Sequence, residues 1–169
     1  FVRDDIAKKI ALELDRTAIY GTGSSNQPLG LKDTSGIGSQ SLTSFGSFSE
    51  YIAMETDVAV ANAEGNAMKY LINASARGAL KSTEKTSTST ANFVFENNQI
   101  NGYDAIVSNQ LANNDAIFGD FSQFIVGMWS GLDLTVDPFA GATAGTVRII
   151  ALQDIDYAVR QAGAFCFAT

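Results

Sequence analysis

The side chains in this sequence that could carry out chemistry are few, because it contains no histidine and a single cysteine. Histidine is the only side chain that titrates near neutral pH without its surroundings shifting its pKa. Ser-His-Asp and Cys-His catalytic sites and His-ligated zinc sites are therefore excluded. The remaining candidates are carboxylates, lysines, tyrosines, serines and the thiol of Cys166. Cys166 lies between Phe165 and Phe167 without a cationic neighbour, so we interpret it as a small apolar residue packed in a strand.

Two motifs match part of a known catalytic or binding pattern. Residues 82–85 have the Ser-x-x-Lys spacing of a nucleophilic serine, but they belong to residues 82–90, which contain seven Ser or Thr. Such a segment buries too little to offset the entropy of ordering, so we expect it to be flexible and unable to hold a lysine with a lowered pKa. Residues 21–26 are rich in glycine, but they follow a predicted helix instead of opening one. In addition, Asn26 stands where a phosphate loop has its third glycine.

Acidic residues also occur in pairs and in one short cluster. Asp133 with Asp137, and Asp154 with Asp156, could act as acid–base pairs only if burial raised one pKa, and spacing alone does not bring them together. Residues 113–115 lack the glycine and the distal glutamate of a calcium-binding loop, so we predict a turn there. We expect the paired carboxylates to be solvated at the surface, and we expect no catalytic residue, cofactor or metal.

The composition is that of one acidic domain. The chain has 169 residues, with 11 Lys+Arg against 18 Asp+Glu, and its net charge of −7 opposes the clustered basic face that binds nucleic acid. No stretch approaches the ~20 consecutive apolar residues of a membrane span. We therefore expect a soluble, cytosolic chain without membrane contact. Trp129 and the eleven phenylalanines are expected in the core or in an interface.

The first half of the chain has the periodicity of helices. Apolar residues recur on one face at Ile6, Ile10, Leu14 and Ala18, which predicts a helix over residues 5–20. Beyond it we predict a loop over residues 32–47, a helix from the cap Ser47 to Gly65, a buried strand over 68–72 and a short helix over 75–81.

The second half has the shorter apolar runs of strands. The pair Asn101-Gly102 readily takes the positive φ values of a tight hairpin turn, and we predict strands on either side of it, at 93–95 and 103–107. Helices early and strands late predict an α+β fold rather than alternating βαβ units. Further strands are predicted at 116–118, 124–126, 147–152 and 132–136, the last with the strict alternation of a strand with one solvated face.

A series of short segments, in order along the chain, carries a resemblance. The first helix ends in Leu-Asp-Arg-Thr-Ala-Ile-Tyr-Gly-Thr-Gly, and Asn-Gln-Pro-Leu-Gly-Leu follows at 26–31. The matching segments downstream are Tyr-Leu-Ile-Asn at 70–73, Asn-Gly-Tyr-Asp-Ala-Ile-Val-Ser at 101–108, Ala-Ile-Phe-Gly-Asp-Phe-Ser at 116–122, and residues 147–151, 156–160 and 164–165. Together they resemble the major capsid protein family of tailed bacteriophages, the Hong Kong 97-type fold, with Asp104 in place of the family's usual proline.

The resemblance implies an α+β subunit with an axial domain at the centre of a capsomer and a peripheral domain built on a long spine helix and a sheet. It places residues 1–30 at the end of the spine helix and the crossover of the peripheral domain. Residues 31–146 would be mainly axial domain, and residues 147–169 the return strand of the peripheral domain. It also implies that this chain is the C-terminal core of a longer protein.

The function implied by the resemblance is structural and not enzymatic. The subunit would assemble with itself into the pentamers and hexamers of an icosahedral shell, with scaffold or portal proteins as further partners. The shell would enclose DNA without binding its sequence. The protein would be found in the host cytoplasm before assembly and in the virion afterwards. Gly21, Gly23, Pro28 and Gly30 would turn the chain from the spine helix into the axial domain.

Two alternatives remain open from the sequence. One is the shell protein of an encapsulin-like cellular nanocompartment, which shares the fold and would be separated from a phage capsid by its neighbouring genes. The other is a soluble enzyme with a carboxylate or lysine site, which a deep pocket holding a buried, strongly shifted carboxylate would favour.

Some members of the family that this chain resembles form a covalent Lys–Asn cross-link assisted by a glutamate. Where the family's C-terminal Asn and Glu would fall, residues 147–154, this sequence has neither. Because an uncharged lysine must meet a positioned amide while a carboxylate handles the proton, we expect no isopeptide bonds between subunits. Boiled particles should run as a single monomer band on a denaturing gel. A ladder of covalent pentamers and hexamers would contradict this and would direct attention to Asn97, Asn98 or Asn101.

Overall fold

The computed structural model describes residues 2–86, 92–137, 139–140 and 142–169. The described residues form three α-helices, Val2–Tyr20 (α1), Phe48–Val60 (α2) and Ala74–Leu80 (α3). No helix in these ranges combines the length and apolar character that crossing a membrane requires.

Strands make up much of the remaining described chain. In chain order they are Gly38–Gln40 (β1), Met68–Ile72 (β2), Phe95–Glu96 (β3), Gln99–Ile100 (β4), Tyr103–Val107 (β5), Ala116–Asp120 (β6), Phe124–Met128 (β7), Asp133–Asp137 (β8), Arg148–Leu152 (β9), Ile155–Val159 (β10) and Phe165–Ala168 (β11). They are distributed over one seven-stranded sheet and two two-stranded sheets.

The seven-stranded sheet has the order β1-β11-β6-β2-β5-β4-β3. β6 runs antiparallel to β2 and β11, whereas β2 pairs in parallel with β5 and β1 in parallel with β11. All five residues of β6 are buried, which explains why its sequence is a continuous apolar run followed by Gly119 and Asp120 instead of an alternating pattern.

Helix α2 covers one face of this sheet. Tyr51, Met54 and Val58 recur at helical spacing and are fully buried, because this face packs against the sheet. The Tyr51 ring meets Tyr70 edge-on at 5.5 Å, and the Tyr70 ring lies 4.5 Å from Phe118 of β6. These aromatic contacts form the centre of the core.

The two small sheets together form one long two-stranded ribbon, made of residues 124–137 and 148–159. β7 pairs with β10, and β8 pairs with β9, both antiparallel. Between the two sheets, the Trp129 N–H donates to the Asp154 carbonyl at 3.2 Å and the Asp154 N–H donates to Ser130 Oγ at 3.0 Å. The ribbon is therefore continuous, with an irregular step at its middle.

Several predictions from the sequence are confirmed. The α+β class, the first helix, the strand at 68–72 and the short helix after it are all present. The strands predicted at 103–107, 116–118, 124–126, 132–136 and 147–152 appear as β5 to β9. Cys166 is fully buried in β11, as its interpretation required.

Other predictions were wrong in detail. Residues 32–47 were predicted to be a loop, but they contain the strand β1, whose polar sequence has no strand pattern. Helix α2 ends at Val60 and not at Gly65, because the chain leaves the helical conformation at Asn62, where φ is +51°. The strand before the Asn101-Gly102 turn is β4 and not 93–95, because Asn97 and Asn98 form a second tight turn with φ values of +51° and +61°.

The predicted flexible segment, residues 82–90, lies partly outside the described residues. Its beginning is paired with the chain that follows. The Val94 N–H donates to the Thr83 carbonyl at 2.9 Å, and the Lys85 N–H donates to the Asn92 carbonyl at 2.9 Å.

After α1 the chain folds back and forms hydrogen bonds with the end of the helix. The N–H groups of Leu31 and Lys32 donate to the carbonyls of Ala18 and Ile19, both at 2.9 Å, which satisfies acceptors that a helix end leaves free. This return brings Gly21 and Gly30 so close that the Gly30 N–H donates to the Gly21 carbonyl at 2.7 Å.

Two glycine-to-alanine substitutions should have opposite effects on stability. A methyl group on Gly21 would overlap the Pro28 carbonyl oxygen and lie 2.6 Å from the Thr17 carbonyl oxygen, so Gly21→Ala should lower the free energy of unfolding by about 2 kcal/mol or more. Gly78 lies inside α3 with no atom within 4 Å of an added Cβ, so Gly78→Ala should raise it by about 0.5–1 kcal/mol. Urea unfolding of both variants measures this, and a neutral Gly21→Ala would contradict the close approach.

The Cys166 thiol should be almost inert in the native protein. Burial, and secondarily the nearby Asp57 carboxylate, raises its pKa to about 12, so the neutral thiol is favoured at pH 8. Labelling with a thiol reagent at pH 8 should be roughly a thousandfold slower than for an ordinary thiol with a pKa of about 8.5. The control is the same protein in denaturant, which should react at the ordinary rate, and fast labelling of the native protein would show that β11 is accessible.

Candidate assembly surface

Apolar surface is concentrated on the ribbon. Of the fifteen large apolar side chains that are exposed in the described residues, ten lie between positions 125 and 152. They are Ile125, Val126, Met128, Trp129, Val136, Phe139, Val147, Ile149, Ile150 and Leu152. Eight of the ten lie on the ribbon, and Phe139 and Val147 lie between its two strands. Scattered exposed apolar residues need no explanation, but this many in one part of the fold mark a candidate interaction surface.

The ribbon leaves these side chains exposed because it has only two strands. Its inner face is anchored at one end, where Phe124 stacks on Tyr157 at 5.6 Å and the Tyr157 hydroxyl donates to the Leu14 carbonyl of α1 at 2.9 Å. Thr17 Oγ1 lies 3.2 Å from the same hydroxyl. Beyond this anchor, β8 and β9 pair only with each other, and an isolated two-stranded hairpin is marginally stable in water.

The first turns of α1 are also sparsely covered. Leu12 is 46% exposed, and Ile6 and Ile10 are only half-buried. Arg3 and Ile6 face the ribbon residues Leu132, Leu134, Val136 and Ile149 across an open groove of about 500 Å³. The helix and the ribbon therefore bury these apolar side chains only in part.

The total surface of the chain is larger than that of a compact monomer. Its solvent-accessible area is 9,761 Å², whereas a compact protein of 17.9 kDa has about 8,000 Å². The excess of about 1,700 Å² is about twice the ~800 Å² that one partner contributes to an ordinary protein interface.

Among the residues that the sequence singled out, the four turn residues are brought together. Gly30 bonds to Gly21 as described, the Gly23 N–H donates to the Pro28 carbonyl at 3.3 Å, and Gly23 has a φ of +66°. The bridge between Thr22 and Leu29 closes the same loop.

The candidate catalytic groups are not brought together. Ser82 Oγ donates to the Ala79 carbonyl at 2.8 Å, while Lys85 Nζ lies over the Phe48 ring, 5.4 Å from its centroid. Asp133 and Asp137 lie at opposite ends of β8, and Asp154 and Asp156 are exposed. In the part of the chain that the structure describes, no three acidic, cysteine or histidine side chains are placed to hold a metal ion.

One buried carboxylate was missed by sequence reasoning. Asp115, predicted to lie in a turn, is only 5% exposed. It accepts hydrogen bonds from the Tyr20 hydroxyl at 2.5 Å and from Thr169 Oγ1 at 2.8 Å, which ties the end of α1 to the sheet and to the last residue of the chain. Burial raises the pKa of Tyr20 above its usual range, so the phenol stays a donor. These partners are distant in sequence, and no local signal could have indicated them.

Comparison with known proteins identifies the family of this chain. Residues 1–169 match the phage capsid family. The major capsid protein of Halomonas phage phiHAP-1 is 35% identical over 167 residues, which are 99% of this chain and 28% of that protein. The chain therefore spans less than a third of the length of this relative.

Solved structures show the same fold. The capsid of a native GTA particle superposes with a TM-score of 0.72 at 18% identity, covering 99% of this chain and 63% of that one. A structure from Gordonia phage Cozz gives a TM-score of 0.67 at 17% identity, covering 98% of this chain and 61% of that one. These likenesses confirm the α+β, Hong Kong 97-type capsid fold, and the match over every residue shows that this chain belongs to the phage capsid family.

Proposed function

We propose that this chain is part of a major capsid subunit that assembles with copies of itself into the icosahedral shell of a tailed phage or prophage. The observation that carries the proposal is the ribbon, whose exposed apolar side chains other subunits would cover. Permanent homomeric contacts are large and rich in apolar and aromatic groups, which is the character of this surface. The proposed role is structural and needs no catalytic residue.

Closed shells require contacts between unlike surfaces. A head-to-tail contact repeats around a ring and closes it as a pentamer or hexamer, whereas a contact between identical patches stops at a dimer. The ribbon supports such a contact because it projects two different faces. Scaffold and portal proteins are proposed as further partners on the strength of family membership alone.

The proposed domains follow the pairing of the strands. We propose residues 1–30 as the end of the spine helix and the crossover, 31–146 as mainly axial domain and 147–169 as the return. Two adjustments are supported by hydrogen bonding. β11 pairs with β6 and therefore goes with the axial sheet, and β7 and β8 pair with β10 and β9 and therefore go with the peripheral ribbon.

The turn residues have a structural role in this proposal. Gly21 and Gly30 allow two backbone segments to touch at the end of α1, and Gly23 and Pro28 shape the loop between them. They would set the direction in which the chain leaves the spine helix for the axial domain.

The charge of the chain suits a container for DNA. A net charge of −7 would keep a packed polyanion from adhering to the wall, so DNA would be enclosed without sequence-specific binding. The subunit would be made in the host cytoplasm and end in the virion.

A cellular compartment is the second candidate. A virus-like particle from Pyrococcus furiosus shares the fold, with a TM-score of 0.59 at 18% identity over 82% of this chain and 58% of that one. The 35% identity to a phage major capsid protein supports the phage assignment instead. Neighbouring portal and terminase genes would agree with the phage, and a neighbouring cargo enzyme with an encapsulin-like compartment.

The proposal predicts the outcome of electron microscopy on the full-length protein, expressed with any scaffold that its gene neighbourhood supplies. Closed shells of pentamers and hexamers should form. Val136→Asp, which places a charge on a side chain that is 60% exposed on the ribbon, should reduce shell yield at least tenfold, since a loss of about 1.4 kcal/mol per contact already gives that factor.

The matched control is Val136→Ile, which keeps the surface apolar and should assemble normally. Circular dichroism should show that both variants are folded. Monomers or small rings from the unsubstituted protein at high concentration would contradict the proposed function, and normal shells from Val136→Asp would contradict the role of the ribbon.

A further inference from the structure

The turn between β4 and β5 contains the one Asn-Gly pair in the sequence, Asn101-Gly102. Ile100 pairs with Tyr103 across it, and the φ values of +50° at Asn101 and +89° at Gly102 are those of a two-residue type I′ turn. Both turn residues are exposed, and a Cβ added to Gly102 would meet no atom within 4 Å. No side chain therefore shields the backbone nitrogen of Gly102.

An asparagine that precedes glycine can be modified without an enzyme. The Gly102 backbone nitrogen attacks Cγ of the Asn101 amide, and the new C–N bond closes a five-membered succinimide. The proton of the attacking nitrogen goes to the side-chain nitrogen, which leaves as ammonia. Water then adds to one of the two ring carbonyls and breaks its C–N bond, which leaves aspartate or isoaspartate at position 101. The reaction consumes only water, and glycine favours it because it has no Cβ to obstruct the attack.

In the folded chain, Glu55 of α2 holds the Asn101 amide. Asn101 Nδ2 donates to Glu55 Oε2 at 2.9 Å and to Oε1 at 3.2 Å, and we call this pair the Asn101 clasp. The Glu55 carboxylate is itself positioned by the Tyr70 hydroxyl of β2, which donates to Oε1 at 2.6 Å. Ring closure requires the Asn101 side chain to turn back onto its own backbone. The two bonds to Glu55 oppose that movement.

The product of the reaction could not form the clasp again. An ionised carboxylate only accepts hydrogen bonds, so an aspartate or isoaspartate at position 101 would place two acceptors and two negative charges together. The surroundings are already acidic. Burial, and then the charges of Glu55 and Glu64, raises the pKa of Tyr103 beside the turn. Once the amide is lost, the turn has no donor side chain with which to hold α2.

We propose that Asn101 is a site of spontaneous deamidation that Glu55 holds unreactive, and that the carboxylate formed there permanently releases the turn from α2. Hydrogen bonds to a charged group contribute enough free energy to lower the population of the open clasp by about tenfold or more. The reacting groups and the group that restrains them all belong to one chain. The inference therefore goes beyond the proposed assembly and does not depend on it.

Peptide mapping of the full-length protein, incubated at pH 8 and 37 °C, tests the role of Glu55. Deamidation at position 101 should be at least tenfold faster in Glu55→Ala than in the natural sequence. Glu55→Gln, which keeps an oxygen that can accept from Asn101, should give an intermediate rate. The matched control is Glu64→Ala, which removes an exposed carboxylate that has no hydrogen bond to Asn101 among the described residues. Its rate should equal that of the natural sequence.

Circular dichroism should show that each variant is folded, and the same chain in urea gives the rate without the clasp. If Glu55→Ala does not fold, the comparison of Glu55→Gln with Glu64→Ala decides. Three results would overturn the proposal. They are equal rates in the natural protein and the folded Glu55 variants, a natural rate equal to the rate in urea, and the absence of deamidation at position 101 in every sample.

Two substitutions separate the new charge from the loss of the amide. Asn101→Asp copies the aspartate product, whereas Asn101→Gly removes the side chain and accommodates the positive φ of the turn. Both lose the bond to Glu55, but only the aspartate repels it, so Asn101→Asp should have the lower urea midpoint. The difference should shrink in about 1 M NaCl, which screens exposed charges. Equal midpoints at low salt would contradict a permanent release of the turn.

Discussion

A two-stranded ribbon cannot bury the apolar side chains on both of its faces, and the rest of this structure follows from that constraint. The seven-stranded sheet and α2 form a core that needs nothing further, with Tyr51, Tyr70 and Phe118 fully enclosed. In the described residues β8 and β9 pair only with each other, and Val136, Ile149, Ile150 and Leu152 are exposed while Leu134 is half-buried. This many exposed apolar side chains are typical of an interaction surface, which is the role we propose for the ribbon.

The last two turns of α1 connect these two parts. Thr17 and the Leu14 carbonyl bond to Tyr157 of the ribbon, and Tyr20 bonds to Asp115 beside the sheet. The backbone hydrogen bond between Gly30 and Gly21 lies at the same end of α1. These hydrogen bonds tie both the ribbon and the sheet to the same end of α1, while the first turns of that helix remain largely exposed.

Sequence reasoning succeeded where the signal is local and failed where the partner is distant. The Asn101-Gly102 turn and the apolar run of β6 are visible in a few adjacent residues. β1 has no apolar pattern, because it becomes a strand only by pairing with Cys166 to Ala168 at the other end of the chain. Periodicity also could not show which apolar residues stay exposed. Leu134 is half-buried and Val136 is 60% exposed, although both belong to one alternating run.

Hydrogen–deuterium exchange, compared between unassembled subunits and assembled particles, tests the central claim most directly. The account predicts that amides of the seven-stranded sheet are protected in both states, because that core is complete within one chain. Amides of the ribbon, residues 124–137 and 148–159, should exchange rapidly in the subunit and become protected in the particle. A ribbon that exchanges equally in both states would show that other subunits do not cover it, and would contradict the account.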